Sequence, residues 1–420
     1  MMSYDASELD PLLKKTKAAS RSYAILTSGK KNEALEKIAR QLDMARPEIL
    51  KANRQDYEEA LSRGLSPAMC DRLLLTESRF SGMVSGVREV AALPDPVGTA
   101  VSRWENQDGL VIEKVRVPIG LVGVVYESRP NVTVEVASLC LKSGNGVVLK
   151  GGSEAVRSNT ILSQTIWEGL AEANVNPDGM AFLPWTDRKV VQDLVSNTTL
   201  DVVIPRGGAS LMETVVSHAR VPVLRHDQGI CHVFISASAP FTMARDIAVN
   251  AKVNRPSTCN AMETLLVHEQ LSESFVRPLL NILKEKEVTV FGCPRTRHLD
   301  PTIAPATPES YATEFLALSM NLRIVSNLDE ALDHIAQYGS GHTESIVTSD
   351  VFEADRFLRE VDASCVMVNA STRLHDGAVF GLGAEVGIST TRIHARGTMG
   401  LSDLTTTKYL VHGHGHLRGS

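Results

Sequence analysis

Val147-Val148-Leu149-Lys150-Gly151-Gly152-Ser153-Glu154 is a short apolar run that stops at a glycine pair and restarts as a helix. The order strand, glycine turn, helix predicts a βα junction, with a helix over about 154–174. Such a junction offers unpaired backbone N–H groups and a helix N-terminus, both suited to phosphate. Lys150, at the strand end, adds a charge for a ribose phosphate. Val203-Ile204-Pro205-Arg206-Gly207-Gly208-Ala209-Ser210 repeats the arrangement. Two Gly-Gly turns at strand carboxyl ends in one sheet suit a dinucleotide laid across them. Neither is the G-x-G-x-x-G fingerprint, and each glycine pair alone reads equally well as an ordinary turn.

Outward from these turns the chain alternates. Val111–Val117, Leu121–Tyr126, Asp201–Ile204, Val221–Leu224 and Cys231–Ile235 read as strands, with a helix over about 132–142. Beyond residue 260 the strands are Glu263–Val267, Val288–Phe291, Leu322–Val325, Ser345–Thr348 and Cys365–Val368, with helices from about 271, 328 and 351. This predicts two α/β units with parallel sheets, meeting near residue 230. The first ninety residues read as helical. In Asn32–Leu42, for instance, Leu35, Ile38, Ala39 and Leu42 share one face.

The 420 residues carry 43% hydrophobic and 22% charged side chains, with a formal net charge of -6. That composition is globular, and the charge argues against nucleic acid as the main partner. No stretch approaches the roughly 20 apolar residues of a membrane span. The opening residues lack the basic and apolar regions of a secretory signal. Six cysteines at 70, 140, 231, 259, 293 and 365 form neither a metal pattern nor a disulfide framework. A reducing cytoplasmic compartment and no metal are therefore expected. His412-Gly413-His414-Gly415-His416 reads as a solvated tail.

One cysteine has surroundings suited to chemistry. Asn254-Arg255-Pro256-Ser257-Thr258-Cys259-Asn260 places Cys259 after a turn that Pro256 and Ser257 favour. Lys252 and Arg255 lie within seven residues upstream, where positive charge favours a thiolate or holds an anion. The competing reading is a core cysteine. Glu127-Ser128-Arg129-Pro130-Asn131 follows the Leu121 strand. Asn131 there has the donor an oxyanion needs, although helix capping explains it as well.

The ordered motifs then resemble one family. Pro118-Ile119-Gly120 through Asn131-Val132-Thr133, Cys140–Asn145, Ile204–Gly208, Asn250–Lys252, Arg255–Asn260 and Glu263–Val267 are similar to the γ-glutamyl phosphate reductases. These are the proline-biosynthesis branch of the aldehyde dehydrogenase superfamily. The resemblance continues through Gly341–Glu344, Val368–Arg373, Gly381–Glu385 and His394–Gly397, covering about residues 10 to 410.

The resemblance implies an α/β, aldehyde dehydrogenase-like fold: two Rossmann-like parallel-sheet domains plus a small oligomerisation element. Residues 1–124 and 143–230 would form an NADPH-binding domain, and 231–374 a catalytic domain with Cys259. Residues 125–142 and 400–420 would form the oligomerisation element, and 375–399 a return segment to the cofactor domain. It implies Cys259 as nucleophile and Asn131 as oxyanion donor. It implies NADPH/NADP at Lys150, Gly151, Gly152, Ser153 and Gly207, with Glu314 on the nicotinamide ribose. Glu127, Lys252, Arg255, Ser371 and Arg373 are the expected substrate ligands.

The implied reaction reduces L-glutamyl 5-phosphate to L-glutamate 5-semialdehyde and phosphate through a cysteine thioester, the second step of proline biosynthesis from glutamate. A homo-oligomer (a dimer) and an association with glutamate 5-kinase follow from the same resemblance. A fused kinase is not expected, since the reductase motifs begin almost at residue 1. Hydrolytic aldehyde dehydrogenases carry a Glu-Leu-Gly-Gly-Lys signature whose Glu activates water. The stretch His226-Asp227-Gln228-Gly229-Ile230 has no Glu, and His226 is the alternative base. A coenzyme A-dependent acylating dehydrogenase is the competing enzyme, and a non-catalytic scaffold the competing class.

Overall fold

The structure, a computed structural model, describes residues 4–225 and 228–418. It comprises two compact units. The first holds the chain up to Arg225 with Gly381–Gly387 and the chain from Met399, and the second holds 226–380 with Ile388–Thr398.

The first unit opens with helices α1 (Ala6–Ser20), α2 (Ser28–Met44), α3 (Arg46–Ser62), α4 (Pro67–Leu73) and α5 (Glu77–Ala92). Thr27, Ser66 and Thr76 start three of them by accepting the N–H of Lys30, Met69 and Arg79. Each removes a donor that the first helical turn leaves unpaired. The sequence stripe of α2 is buried as expected, with Leu35, Ile38, Ala39 and Leu42 at most 1% exposed.

Next come β1 (Ala100–Glu105), β2 (Val111–Pro118), β3 (Leu121–Tyr126), α6 (Pro130–Lys142), β4 (Gly146–Gly151), α7 (Val156–Glu172), β5 (Met180–Phe182), α8 (Lys189–Val195), β6 (Val202–Arg206) and α9 (Ala209–His218). Four strands form a parallel sheet in the order β5-β4-β3-β6. Register aligns its carboxyl edge: Tyr126 pairs with both Gly151 and Arg206. The turns after β3, β4 and β6 therefore emerge side by side.

Helices α2 and α7 cross where α7 has Gly169. A Cβ there would stand 2.7 Å from Ile38 Cα and 2.8 Å from its N, both backbone atoms. Gly169→Ala should therefore force the helices apart. We expect a net loss of up to about 2 kcal/mol, since overpacking of about 1–3 kcal/mol is offset by a helix-propensity gain of about 1. Denaturant unfolding measures this; wild-type stability would show that the two backbones separate without cost.

Two segments differ from the sequence reading. Val221–Leu224 reduces to a single bridge between Val203 and Val223, because Pro222 supplies a carbonyl to Val203 N but has no N–H of its own. Residues 125–142, expected to join the C-terminal strand in a separate element, lie inside the first unit: β3 is an inner strand and α6 is largely buried. The C-terminal strand Thr405–His412 pairs antiparallel with β2 instead, giving a three-stranded sheet with β1 on the other side. An apolar run from Leu121 leaves residues 125–142 no exposed face for such an element.

The second unit runs β7 (Cys231–Ile235), α10 (Phe241–Val253), β8 (Met262–His268), α11 (Arg277–Glu285), β9 (Thr289–Gly292), α12 (Pro294–Leu299), β10 (Ala304–Pro305), α13 (Pro308–Tyr311), β11 (Ser319–Val325), α14 (Leu328–Tyr338), β12 (Thr343–Val347), α15 (Val351–Glu360) and β13 (Cys365–Val368). Its seven-stranded parallel sheet has the order β10-β9-β11-β8-β7-β12-β13. Both faces are covered. Val233 and Ile235 join a core with Ala244 and Ala248 of α10, while Phe234 joins Leu328, Ile335 and Phe357 on the opposite face. Among the described residues no helix is long and apolar enough to cross a membrane.

Candidate active site

In the second unit the chemistry gathers at the amino edge of the sheet. Register places the starts of β7, β8 and β12 side by side, pairing Cys231 with Met262 and Glu344 with His232. Cys259, half-buried, lies three residues before β8 in a turn closed by Ala261 N to Thr258 O at 3.0 Å. The lead-in to β7 packs directly on it. Gly229 approaches so closely that a Cβ would stand 1.9 Å from Cys259 O, and the Cys231 thiol donates to that same carbonyl at 3.2 Å. Glu314 Oε1 accepts the Gly229 N–H at 3.0 Å.

Behind this turn runs a buried polar chain. Cys231 Sγ is 3.7 Å from His342 Nδ1, His342 Nδ1 is 2.7 Å from Thr343 Oγ1, and Thr343 Oγ1 is 2.8 Å from His375 Nδ1. Burial pushes the Cys231 thiol well above its ordinary range, with Glu344 adding to it. It is therefore a neutral donor. Burial likewise pushes His375 down to about 4, against the pull of Asp376.

Positive charge borders Cys259. Arg373, after β13, gives its guanidinium to the amide oxygens of Asn260 and Asn254 rather than to a carboxylate. The Asn260 amide is oriented for this because its Nδ2 donates to His375 O at 3.0 Å. Burial and then the charge of Arg255 hold Arg373 below its ordinary value, while the Cys259 thiol and Asp376 favour its charged form. Arg255 is exposed. Two guanidinium groups and a cysteine thus share one electrostatic neighbourhood, an arrangement that suits a doubly charged anion.

Lys252 is placed otherwise than its proximity in sequence suggests. Its ammonium is fully buried and bonded at 2.6 Å to Glu263 of β8, also fully buried. Burial lowers the Lys252 pKa and raises that of Glu263 to about 7, opposed by each other's charge. Ser371 is buried and accepts the Arg373 N–H, starting the short turn that carries Arg373.

In the first unit, taken by itself, the other expected residues lie along the carboxyl edge of its sheet. Lys150 is 5% exposed, and its ammonium bonds a single acceptor, Gly151 O. Burial pushes its pKa down to about 8, with Glu154 opposing. A buried ammonium with two donors left over fits an anionic or polyhydroxyl ligand. Gly151 and Gly152 leave no room for side chains: a Cβ would meet Asn159 Nδ2 at 2.1 Å or Glu154 Oε1 at 2.2 Å. Ser153 opens the short turn before α7. Gly207 and Gly208 are exposed, and α9 starts with no side-chain cap. The donor set therefore fits a phosphate-bearing dinucleotide.

Glu127 is used at this edge, accepting the Gly208 N–H at 2.8 Å. Asn131, in the first turn of α6, donates one amide hydrogen to Glu135 at 2.7 Å and keeps a second. His226 and Asp227 lie outside the described residues; Gln228, Gly229 and Ile230 bring no carboxylate.

Sequence reasoning missed Gly229, Cys231 and Glu263 as parts of the site. Glu263, a carboxylate opening the apolar strand Met262–His268, carried a signal of its own. A buried charge in a strand needs a partner. Among the described residues no cluster of three metal-ligating side chains is present, and the cysteines form no disulfide.

Comparison with known proteins agrees with this geometry. A model of the aldehyde dehydrogenase family matches residues 1–309. The gamma-glutamyl phosphate reductase of Clostridium kluyveri is 49% identical over 97% of this chain and 99% of its own length. That of Carboxydothermus hydrogenoformans is 51% identical over 97% and 99%. The crystal structure of gamma-glutamyl phosphate reductase from Thermotoga maritima superposes with a TM-score of 0.96 at 45% identity, covering 98% of this chain and 100% of that one. An acetylating aldehyde dehydrogenase from Geobacillus thermoglucosidasius shares the fold at TM-score 0.69 and 15% identity, over 99% of this chain and 98% of that one.

Proposed function

The chain belongs to the aldehyde dehydrogenase family, in its gamma-glutamyl phosphate reductase branch, and on that premise we propose that it reduces L-glutamyl 5-phosphate to L-glutamate 5-semialdehyde and phosphate. It is an oxidoreductase with the aldehyde dehydrogenase-like α/β fold. The observation that carries the substrate assignment is the Arg373 guanidinium bonded to Asn260, the residue next to Cys259, with the charge of Arg255 acting on it.

The Cys259 thiolate attacks the acyl carbon, forming a C–S bond and moving the carbonyl electron pair onto oxygen. The spare amide hydrogen of Asn131 is the donor assigned to that oxyanion; removing one such donor raises a barrier by about 2.7–4 kcal/mol. Re-formation of the carbonyl breaks the bond to phosphate, and the two guanidinium groups receive the leaving dianion. Lys150, Gly151, Gly152, Ser153 and Gly207 are the residues that would hold the coenzyme, with Glu314 at its nicotinamide ribose; when bound, NADPH would supply the hydride for reducing the thioester. The resulting thiohemiacetal expels Cys259 thiolate and releases the semialdehyde. That the stretch His226–Ile230 has no Glu, where hydrolytic aldehyde dehydrogenases carry their water-activating one, supports a thioester kept for reduction.

Run in reverse, the reaction oxidises the semialdehyde with NADP and needs phosphate as acyl acceptor. Phosphate dependence is expected, with coenzyme A unable to replace it. Arg255→Ala and Arg373→Ala should each raise the phosphate KM at least about tenfold, the weight of a charge-assisted bond. Coenzyme A serving equally well, or an unchanged phosphate KM in both variants, would reject this substrate assignment. The three-stranded sheet, with exposed Trp104, Tyr409 and Val411, supports assembly as a homo-oligomer.

A further inference from the structure

We propose that the buried Lys252–Glu263 ion pair is a positioning device for the turn that carries Glu314, and that its ionisation sets how tightly the protein holds its coenzyme. The inference rests on Glu314 holding the nicotinamide ribose.

The pair is an odd thing to bury for stability alone. Two desolvated charges recover little beyond their own desolvation cost, and apolar residues of equal size often serve as well. What distinguishes this pair is the turn it faces. The second carboxylate oxygen of Glu263 accepts the N–H of Leu316 at 3.4 Å. Leu316 has φ 52°, in the left-handed region that a leucine enters only when its surroundings hold it there. Its side chain is 39% exposed, so burial of that side chain is not what holds the turn. The holding contacts are the Glu263 carboxylate and the stack of Phe315 on Phe291, with ring centroids 5.4 Å apart and planes 3° from parallel.

Glu314 precedes this strained residue by two positions, and its carboxylate reaches Gly229. The titratable groups that face Glu263 are the Lys252 ammonium from α10, the neutral Cys231 thiol from β7 and the Glu314 carboxylate from the turn itself. Lys252 feels both carboxylates, Glu263 and Glu314. While Glu263 is ionised it neutralises the ammonium and holds Leu316. When Glu263 takes a proton, the ammonium is left to Glu314 and the hold on Leu316 weakens.

The sign follows from the direction of the shift. Burial raises the Glu263 pKa to about 7, so its carboxylate is present above that value and lost as pH falls through it. If only the ionised form is competent, coenzyme affinity at pH 6 is about tenfold weaker than at pH 8 through this one group.

The test is calorimetric titration of NADPH into the full chain at pH 6 and pH 8. Glu314→Gln should weaken binding at both values. Glu263→Gln should bind at pH 8 no more tightly than the wild type does at pH 6, and should lose about tenfold of the pH ratio. The phosphate of the coenzyme and Lys150 titrate in both proteins, so the difference between them isolates Glu263. The double variant Lys252→Met/Glu263→Leu, which removes both buried charges, should fold and show the same flattened ratio. A folded Glu263→Gln that keeps the wild-type pH ratio, beside a weakened Glu314→Gln, overturns the role of the pair alone. Wild-type affinity in Glu314→Gln overturns the ribose assignment and this inference with it.

Discussion

Cys259→Ala lowers the phosphate-dependent oxidation of glutamate 5-semialdehyde at least about a thousandfold while leaving NADPH affinity and the unfolding midpoint near wild type: this is the expected result. The size follows from the role. A nucleophile that splits one displacement into two steps has no substitute within the site, and its loss costs about as much as losing the whole catalytic unit. The selectivity follows from the geometry. Hydrogen bonds that shape the turn run from Ala261 N to Thr258 O, from Asn260 Nδ2 to His375 O and from the Cys231 thiol to the Cys259 carbonyl. None of them uses the Cys259 sulfur. Deleting it leaves these three bonds in place. Serine should fare little better, since a hydroxyl is scarcely ionised where a thiol readily is. Kinetics and coenzyme titration of the same preparation measure both halves. Activity within tenfold of wild type in the alanine variant would reject the covalent route.

The parts of the site legible in the sequence are those that local chemistry defines. Lys150-Gly151-Gly152 and Gly207-Gly208 could be found because a glycine pair after an apolar run and before a helix admits few backbones, and both do end parallel strands. Cys259 stands out in the sequence because proline and charge cluster before it. What stayed hidden depends on pairing across long stretches of chain. Gly229 and Cys231 touch Cys259 only because β7 lies beside β8 in register. The general rule for open α/β sheets places ligands at strand carboxyl ends. It holds for the first unit, whereas Cys259 and its supports lie at the amino edge of the second, where that rule gives no guidance. Lys252 reads from sequence as a charge near the nucleophile. Only the inward face of α10, shared with Ala244, Ala248 and Ala251, shows that its ammonium turns to Glu263. The pairing of the C-terminal strand with β2 was hidden for a similar reason: Thr405–His412 and Val111–Pro118 lie far apart in the chain, and nothing local in either names the other as its partner.

Gly229→Ala, a single added methyl group that touches no substrate, should lower kcat at least about a hundredfold. The new Cβ would stand 1.9 Å from Cys259 O, 2.6 Å from its carbonyl carbon and 2.7 Å from its Cα. All three are backbone atoms, so no side chain can swing away to make room. Either the lead-in to β7 or the Cys259 turn has to move by about the missing ångström or more, and a misplacement of that size at a reacting group costs about a hundredfold. Two further contacts fail together with it. The Cys231 thiol loses its 3.2 Å bond to the same carbonyl, and the Gly229 N–H loses Glu314 at 3.0 Å. The coenzyme KM should therefore rise alongside the fall in kcat, a joint signature that a purely local clash would not give. Gly86→Ala, in α5 where nothing lies within 4 Å of the new Cβ, is the matched control and should leave kcat unchanged. Wild-type kcat in Gly229→Ala would mean that the approach of these two backbones does not set the aim of the nucleophile.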